Sequence, residues 1–216
     1  MVATPAVAPL AFVRRPHQHR YQAWAPKLSR CIVLASWSAV QLWVMLEAQP
    51  RVKSYCERPA VAVIDGQERL IDFWVQLDDQ AQWFVIQAEG EPTLDLEVGG
   101  TQAPSVDGDR VQFVSPQSFQ EHAVWIENWL SILPYLASAS RLVEPALVAQ
   151  VVEPCRKATA LWTIEQTHSR HDRMLVRTAV FMALHRGALL GMDLQQRQWD
   201  LDSAFVRPSP RRAGAT

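Results

Sequence analysis

Three residues of this chain, two acids and one amide, have the types and the spacing of a metal-binding site that could act on a phosphate. Asp72 lies in the apolar stretch 69–76, and Gln87 and Glu89 close the next such stretch. If the two stretches are strands joined by a short turn, Asp72 is carried toward the end of the second strand. Converging oxygen donors can hold a divalent cation and orient a water toward a phosphate, although acids at strand ends are often simply solvated. The spacing predicts a candidate metal site of Asp72 and Glu89, with Gln87 beside it.

Several other chemistries lack the motifs that they require. The sequence has no GxSxG elbow, no Walker glycine loop and no GxGxxG turn, which argues against a serine hydrolase, a P-loop ATPase and a nucleotide cofactor. Cys31, Cys56 and Cys155 form no CxxC pair, so neither a zinc ribbon nor a disulfide framework is indicated. A reducing, cytoplasmic location is the simplest expectation.

The elements that must position the candidate residues follow from hydrophobic patterning and from turn residues. An apolar helix is predicted from Ser36 to Ala48, because the Gln49-Pro50 step ends it. Strands are predicted at 60–65, 69–76, 82–88 and 110–114, joined at first by connectors short enough for antiparallel hairpins. Further helices are predicted at 119–132, 144–152, 155–167 and 170–186, the last ending at Gly187, with a strand or two in 188–206.

This order predicts an α/β fold with several parts. The expected parts are a basic arm at 1–27, a mixed-sheet domain at 28–116, a helical domain at 117–206 and a tail at 207–216. The most apolar run, 31–46, is shorter than the roughly 20 residues that span a bilayer, so no membrane partner is expected.

Charge is distributed unevenly along the chain, although the net charge is only −1. Residues 1–30 contain five basic groups and no acid, whereas residues 31–116 contain thirteen acids and five basic groups. Phosphate is attracted to the first kind of segment and divalent cations to the second, while a solvated surface explains both equally well. Arg170, Arg173 and Arg177 are spaced to form a basic stripe on one predicted helix. The stripe is a candidate contact for DNA or for a partner, and a solvated helix face is the alternative.

Three runs follow one another along the chain: LEAQPRV (46–52), YCERP (55–59) and Asp72-Phe73. Their order and spacing resemble those of the TnsA-type endonuclease subunits of heteromeric transposases, members of the PD-(D/E)XK superfamily. LEAQPRV (46–52) is similar to the family's helix end, YCERP (55–59) to its "Y-x-E-Q-P", and Asp72-Phe73 to its "P-D-F". The run VFMALHRGALLGMDLQQRQWDLDSAFV (180–206) resembles the family's ending. The resemblance covers about residues 28–206.

The resemblance implies a restriction-endonuclease-like mixed sheet, built from a helix, three strands and a fourth strand. It further implies a mostly helical carboxyl-terminal domain, for which a winged helix is one candidate fold. It also implies Mg²⁺ or Mn²⁺ held by acids, with a lysine that assists the attacking water. Asp72 and Gln87 match the family's catalytic positions, but the expected helix acid falls on Ala39 and the lysine on Glu89. Glu47, two turns further along the helix, is a candidate replacement for the missing acid.

Two functions follow from the resemblance. The first is DNA transposition, in which family members nick the 5′ transposon ends beside a partner transposase. The second is a catalytically degenerate scaffold or regulator that binds the transposase or DNA. A third, weaker possibility is a defence or repair module that has no link to a transposon. Whether the altered site cleaves DNA is therefore the question that the sequence poses.

Overall fold

The computed structural model describes residues 8–12, 19–64, 67–78, 80–88 and 111–209, and it shows a mixed α/β protein. The chain divides into two compact units, which are described separately. The first comprises Met1–Glu47 and Arg51–Glu121, and the second comprises Ala48–Pro50 and His122–Thr216. Within the described ranges, no helix combines the length and apolar character that crossing a bilayer requires.

The first unit contains eight strands and two helices among its described residues. In chain order they are β1 Tyr21–Ala25, β2 Arg30–Leu34, α1 Trp37–Ala48, β3 Ser54–Glu57, β4 Val61–Ile64, β5 Gln67–Leu70, β6 Phe73–Gln76, β7 Ala81–Ile86, β8 Val111–Val114 and α2 Pro116–Glu121. Helix α1 is apolar on nearly all sides and most of its side chains are buried, as its composition predicts.

A four-stranded mixed sheet in the order β3-β6-β7-β8 forms the centre of this unit. Strands β3, β6 and β7 are antiparallel neighbours, with Trp74 opposite both Cys56 and Trp83. Strand β8 runs parallel to β7, with Val111 opposite Trp83, so β7 and β8 require a crossover connection rather than a tight turn.

Two antiparallel hairpins accompany the sheet, and the sequence pattern predicts neither of them fully. Hairpin β1–β2 falls partly in the apolar run 31–46, whose strand and helix portions cannot be separated by hydrophobicity alone. The predicted strand 69–76 is divided, because β5 pairs with β4 whereas β6 joins the main sheet. The break falls at Ile71 and Asp72, so Asp72 directly precedes a strand instead of lying within one.

The second unit is mostly helical and contains a small three-stranded sheet. Its elements are α3 Ala123–Ala139, α4 Pro145–Val152, β9 Thr159–Ala160, α5 Leu161–Thr167, α6 Arg173–His185, β10 Leu190–Gly191 and β11 Ala204–Val206. The sheet is antiparallel in the order β10-β11-β9. Helix α6 packs against α3 and α4, which buries nearly all of its side chains from Val176 to Leu184.

Sequence patterning predicts α4 and the end of α6 well. Gly187 follows α6 with a φ of +74°, a backbone conformation that glycine adopts without steric cost. The predicted helix 155–167 is wrong in its first half, where a 3-10 turn and the short strand β9 precede α5. The predicted helix 170–186 begins only at Arg173, because the Asp172 side chain caps it by accepting from the Met174 and Leu175 amides.

Candidate functional site

Asp72 lies where strands β6 and β7 meet, immediately before Phe73. Its backbone N–H donates to the Phe84 carbonyl at 2.9 Å, and the Ile86 amide donates to its Oδ2 at 2.7 Å. The turn between β6 and β7 thus brings the start of one strand beside the end of the other, as the sequence predicts. Among the described residues, the second oxygen, Oδ1, accepts no hydrogen bond from the protein.

Burial controls the protonation of this carboxyl group. Desolvation raises the pKa of Asp72 to about 6, and the Ile86 hydrogen bond, which favours the charged form, offsets only part of the effect. A carboxyl group with a pKa near neutrality, at the junction of two strands, is a functional-site candidate on physical grounds.

Gln87, the second residue of the predicted site, directly follows the last residue of β7. It is buried, and its backbone N–H donates to the Val114 carbonyl at 3.0 Å, which fixes the chain between β7 and β8. Glu89, the third predicted residue, lies outside the described residues. The structure therefore brings Asp72 next to the residue before Gln87 and leaves the position of Glu89 as a prediction.

Helix α1 presents a methyl group where the family resemblance expects an acid. Ala39 is buried in the first turn, and its amide donates to the Ser36 hydroxyl at 3.1 Å, a capping bond that begins the helix. A methyl group cannot ligate a cation or accept a proton. Helix α1 thus contributes no carboxylate at this position.

Glu47, the candidate replacement acid, is engaged in a buried network of the first unit. The Tyr55 hydroxyl donates to its Oε1 at 2.5 Å, and the Trp43 indole N–H donates to that hydroxyl at 2.7 Å. The Lys27 amide also donates to Oε1 at 3.3 Å, while the Lys27 ammonium donates to the Val52 carbonyl at 2.9 Å. These bonds assign Glu47 to the joining of hairpin β1–β2, helix α1 and strand β3.

The electrostatics of this network agree with a structural role. Burial lowers the pKa of Lys27 to about 8, against the opposing attraction of Glu47. Burial, with the nearby Glu47 carboxylate as a second cause, raises the pKa of the Tyr55 phenol. The sequence indicated Glu47 but not Lys27 or Tyr55, because these partners come from the hairpin β1–β2 and from β3, which hydrophobic patterning does not predict.

Glu57, on strand β3, forms an ion pair with Arg30. Arg30 donates to both carboxylate oxygens of the buried Glu57, at 2.8 Å to Oε1 and 2.5 Å to Oε2. The hydrogen bond to Glu57 raises the pKa of Arg30. This fork geometry occupies Glu57 fully and links β2 to β3. Glu57 thus serves the fold in the same way as Glu47.

The donor set that the described residues offer a cation is small. Mg²⁺ is commonly held by one or two carboxylates together with water and phosphate oxygens, and Asp72 supplies the minimum of such a set. In residues 8–12, 19–64, 67–78, 80–88 and 111–209, no group of three or more His, Cys, Asp and Glu is placed to hold a metal ion. A hard cation held at Asp72 would therefore take its other ligands from water, from a bound phosphate or from the predicted Glu89.

The predicted basic stripe of the second unit is divided by the structure. Arg170 lies in the turn before α6 and Arg173 is the first residue of the helix, and both are exposed. Arg177 instead pairs with the buried Glu165, its Nε lying 2.8 Å from Oε1, and lies over the Trp199 ring. Arg177 therefore connects α6 to α5 and to the segment that follows β10.

No protein-family model matches the chain, and no curated protein matches it.

Proposed function

We propose that this protein acts in DNA transposition as a TnsA-like subunit built on a restriction-endonuclease-like fold. The observation that carries the proposal is the junction of β6 and β7, where the Asp72 carboxylate accepts from the Ile86 amide directly before the buried Gln87. Helix α1 precedes the antiparallel strands β3, β6 and β7, and β8 follows as the fourth strand. The family resemblance implies a helix, three strands and a fourth strand, with Asp72 and Gln87 as site residues. In the structure β3 is the strand beside β6, whereas the predicted strand 60–65 pairs with β5 in a separate hairpin.

The second unit supports a winged-helix interpretation. Helix α4, strand β9, helices α5 and α6, and strands β10 and β11 follow one another, and the strands form one antiparallel sheet. In such a domain the helix in the position of α6 usually faces DNA. Only the first turn of α6 is exposed here, so we propose Arg170 and Arg173 as the contacts with DNA or with a partner transposase. Arg177 positions α6 instead of binding phosphate.

The reaction of the family is metal-dependent hydrolysis of a phosphodiester at the 5′ transposon ends. A bound Mg²⁺ or Mn²⁺ would polarise the phosphate and lower the pKa of a water. Asp72 would hold the cation, and this residue must be ionised to do so. With a pKa of about 6, Asp72 is mostly ionised above pH 7. Gln87 would orient a ligand through its amide, and Glu89 is the proposed second acid.

A noncatalytic scaffold is the second candidate function, and one observation favours it. The helix position that should supply an acid is Ala39, and the nearest replacement, Glu47, is bound to Tyr55 and Lys27. Loss of one group in a catalytic set commonly reduces the rate by orders of magnitude. A protein with this site would retain the fold and its contacts in a transposition complex without cutting DNA.

Calorimetric titration of Mn²⁺ and Mg²⁺, followed by nicking of supercoiled plasmid in Mn²⁺, separates the two candidates. Asp72→Asn removes the proposed ligand charge, and Asp78→Asn is the matched control, since Asp78 is exposed and pairs with Lys53 at 2.8 Å. The nuclease function predicts binding and nicking by the wild type and by Asp78→Asn, with both lost in Asp72→Asn. Binding that ignores Asp72 contradicts the nuclease function and leaves the scaffold.

Duplex DNA binding tests the scaffold independently. Arg173→Ala is expected to weaken binding of a labelled duplex and to reduce its salt dependence, because one phosphate contact is lost. A wild-type protein that binds neither cation nor duplex DNA would contradict the nuclease function and a DNA-binding scaffold, and a scaffold that binds a partner transposase would be tested by co-sedimentation with that partner.

A further inference from the structure

We propose that an exposed strip of aromatic rings in the first unit, formed by His19, Tyr21 and Trp37, stacks with the bases of unpaired DNA. The strip uses residues other than those of the candidate site and does not depend on whether the protein cuts DNA. It lies at the start of hairpin β1–β2 and at the first turn of α1.

The three rings form a continuous series. The centroids of His19 and Tyr21 are 6.1 Å apart with an interplanar angle of 33°, and those of Tyr21 and Trp37 are 6.0 Å apart at 53°. Trp37 remains 48% exposed and His19 is also exposed. A large aromatic ring usually gains most of its stabilisation from burial, so this degree of exposure leaves ring area available to a ligand.

Positive charge accompanies the rings. Arg20, between His19 and Tyr21, is exposed, and its guanidinium lies 6.0 Å from the Phe12 ring. The first carboxylate of the whole chain is Glu47, so the segments that carry the strip contain no acid. The positive charge of Arg20 beside the rings is therefore complementary to the negative charge of a phosphate backbone.

Phe12 also packs against a second guanidinium, that of the half-buried Arg58, which donates to the Val33 carbonyl. This guanidinium lies 5.3 Å from the Phe12 ring centroid, and the Arg58 amide donates to the Asp72 carbonyl at 2.8 Å. A strand held on the rings would therefore lie in the same unit as the junction of β6 and β7.

Exposed rings combined with arginine fit an unpaired strand better than a duplex. Bases in a duplex stack on each other and offer only their edges, whereas the bases of a single strand offer their faces to aromatic side chains. Each base stacked on an aromatic ring contributes about 1–3 kcal/mol by alanine substitution, largely without sequence preference. The occupant that this surface fits is an unpaired DNA strand of any sequence.

Fluorescence anisotropy of a labelled oligothymidylate of about 15 nucleotides, at low salt, tests the proposal. Trp37→Ala should weaken binding at least about fivefold, the lower limit for loss of one stacked base. Trp162→Ala is the matched control, because Trp162 is 49% exposed but belongs to the second unit. Trp37→Tyr retains a ring and should recover most of the affinity, which separates stacking from a general effect on the fold.

Arg20→Ala tests the electrostatic part. It should lower the slope of log Kd against log salt by about 0.7, the value for one phosphate on a single strand. The titration is made in EDTA, so that cation binding at Asp72 does not contribute and a failure of the nuclease proposal leaves the result readable. An oligouridylate of the same length shows whether the sugar contributes.

Three outcomes would overturn the proposal. The first is an affinity that Trp37→Ala leaves unchanged, and the second is a preference for duplex over single strand that is insensitive to Trp37. The third is self-association of the wild type that Trp37→Ala abolishes in sedimentation analysis, since the strip would then be an interface between copies of the chain.

Discussion

Burial, more than hydrogen bonding, determines the state of Asp72. The Ile86 amide stabilises the carboxylate, yet the pKa is raised to about 6 because the group has lost most of its hydration. A charged group held against its preference for water reduces stability, and such groups are retained where they have a function.

The cost of Asp72 can be measured through pH. The folded-state pKa lies above the ordinary value of 3.8, so the contribution of Asp72 to stability is fully present below about pH 4 and is lost as the pH rises through 6. Asp72→Asn should therefore raise the free energy of unfolding at pH 7.5 in EDTA by up to about 3 kcal/mol. At pH 4 the difference from wild type should vanish, as measured by urea denaturation.

Asp78→Asn is the control for this prediction and should have the opposite sign. Asp78 is exposed, and its hydrogen bond from Lys53 lowers its pKa, so the ionised form is the favoured one. The substitution should slightly destabilise the protein at pH 7.5. A destabilised Asp72→Asn variant at that pH would show that the carboxylate is stabilised by groups other than the Ile86 amide.

Arg177 stabilises the fold of the second unit, although arginine is usually a solvent-exposed residue. Glu165 is buried, and its carboxylate accepts from the Arg177 guanidinium, which also contacts the Tyr135 hydroxyl at 3.3 Å. Removal of one partner of a buried pair leaves an uncompensated charge, which costs several kcal/mol.

Arg177→Ala should therefore lower the free energy of unfolding by about 3 kcal/mol. Arg173→Ala removes an exposed arginine four residues earlier on the same helix and should change it by less than about 0.5 kcal/mol. Urea denaturation of both variants at pH 7 gives the comparison. Equal stability of the two variants would return Arg177 to the group of candidate DNA contacts.

At the scale of elements, the segment between β10 and β11 is attached to helix α3 by one buried side chain. The Asn128 amide donates to the Leu194 carbonyl at 2.7 Å and to the Arg197 carbonyl at 2.8 Å. Its oxygen accepts from the Trp199 amide at 2.9 Å. In the proposed winged helix this segment would be the wing, and the three hydrogen bonds of Asn128 help to join it to α3.

Asn128→Ala should destabilise the protein by about 2–4 kcal/mol, because it leaves buried carbonyl and amide groups without partners. Hydrogen exchange should show lost protection in the segment 194–199. Ser131→Ala provides the comparison, since its exposed hydroxyl accepts from the Trp199 indole N–H at 2.6 Å and donates to the Asn128 carbonyl within α3 at 2.7 Å. That variant should lose about 1 kcal/mol or less. Similar losses in both variants would mean that Asn128 is not the main attachment.

At the scale of the whole molecule, the three free thiols report on the two units. Cys31 is exposed, whereas Cys56 in the first unit and Cys155 in the second are buried. Burial raises the pKa of the Cys56 thiol to about 11 and also raises that of Cys155, which keeps both protonated. Since the thiolate is the reactive form, only Cys31 is available for modification in the native protein.

A thiol assay with a disulfide reagent at pH 8 should therefore titrate one fast group per chain. The other two groups should react only as urea unfolds the unit that contains each of them, and peptide mass spectrometry identifies which reacts first. Rapid reaction of Cys56 or Cys155 in native protein would show that its unit opens readily.

The sequence by itself determined the elements that depend on neighbours along the chain. Helix α1 ends before Pro50, α6 ends before Gly187, and β7 and β8 lie close to their predicted limits. Proline, glycine and hydrophobic periodicity act within a few residues, so such boundaries can be predicted locally. The approach of Asp72 to the end of β7 followed from a short connection for the same reason.

Tertiary structure decided which groups are available for chemistry. Whether Glu47 faces a ligand or Tyr55, and whether Arg177 faces solvent or Glu165, depends on elements distant in the chain. The pKa of Asp72 likewise depends on the atoms that exclude water from it, which no local pattern encodes. Burial and pairing are properties of the packed chain, because charge is stabilised or penalised by what surrounds it in space.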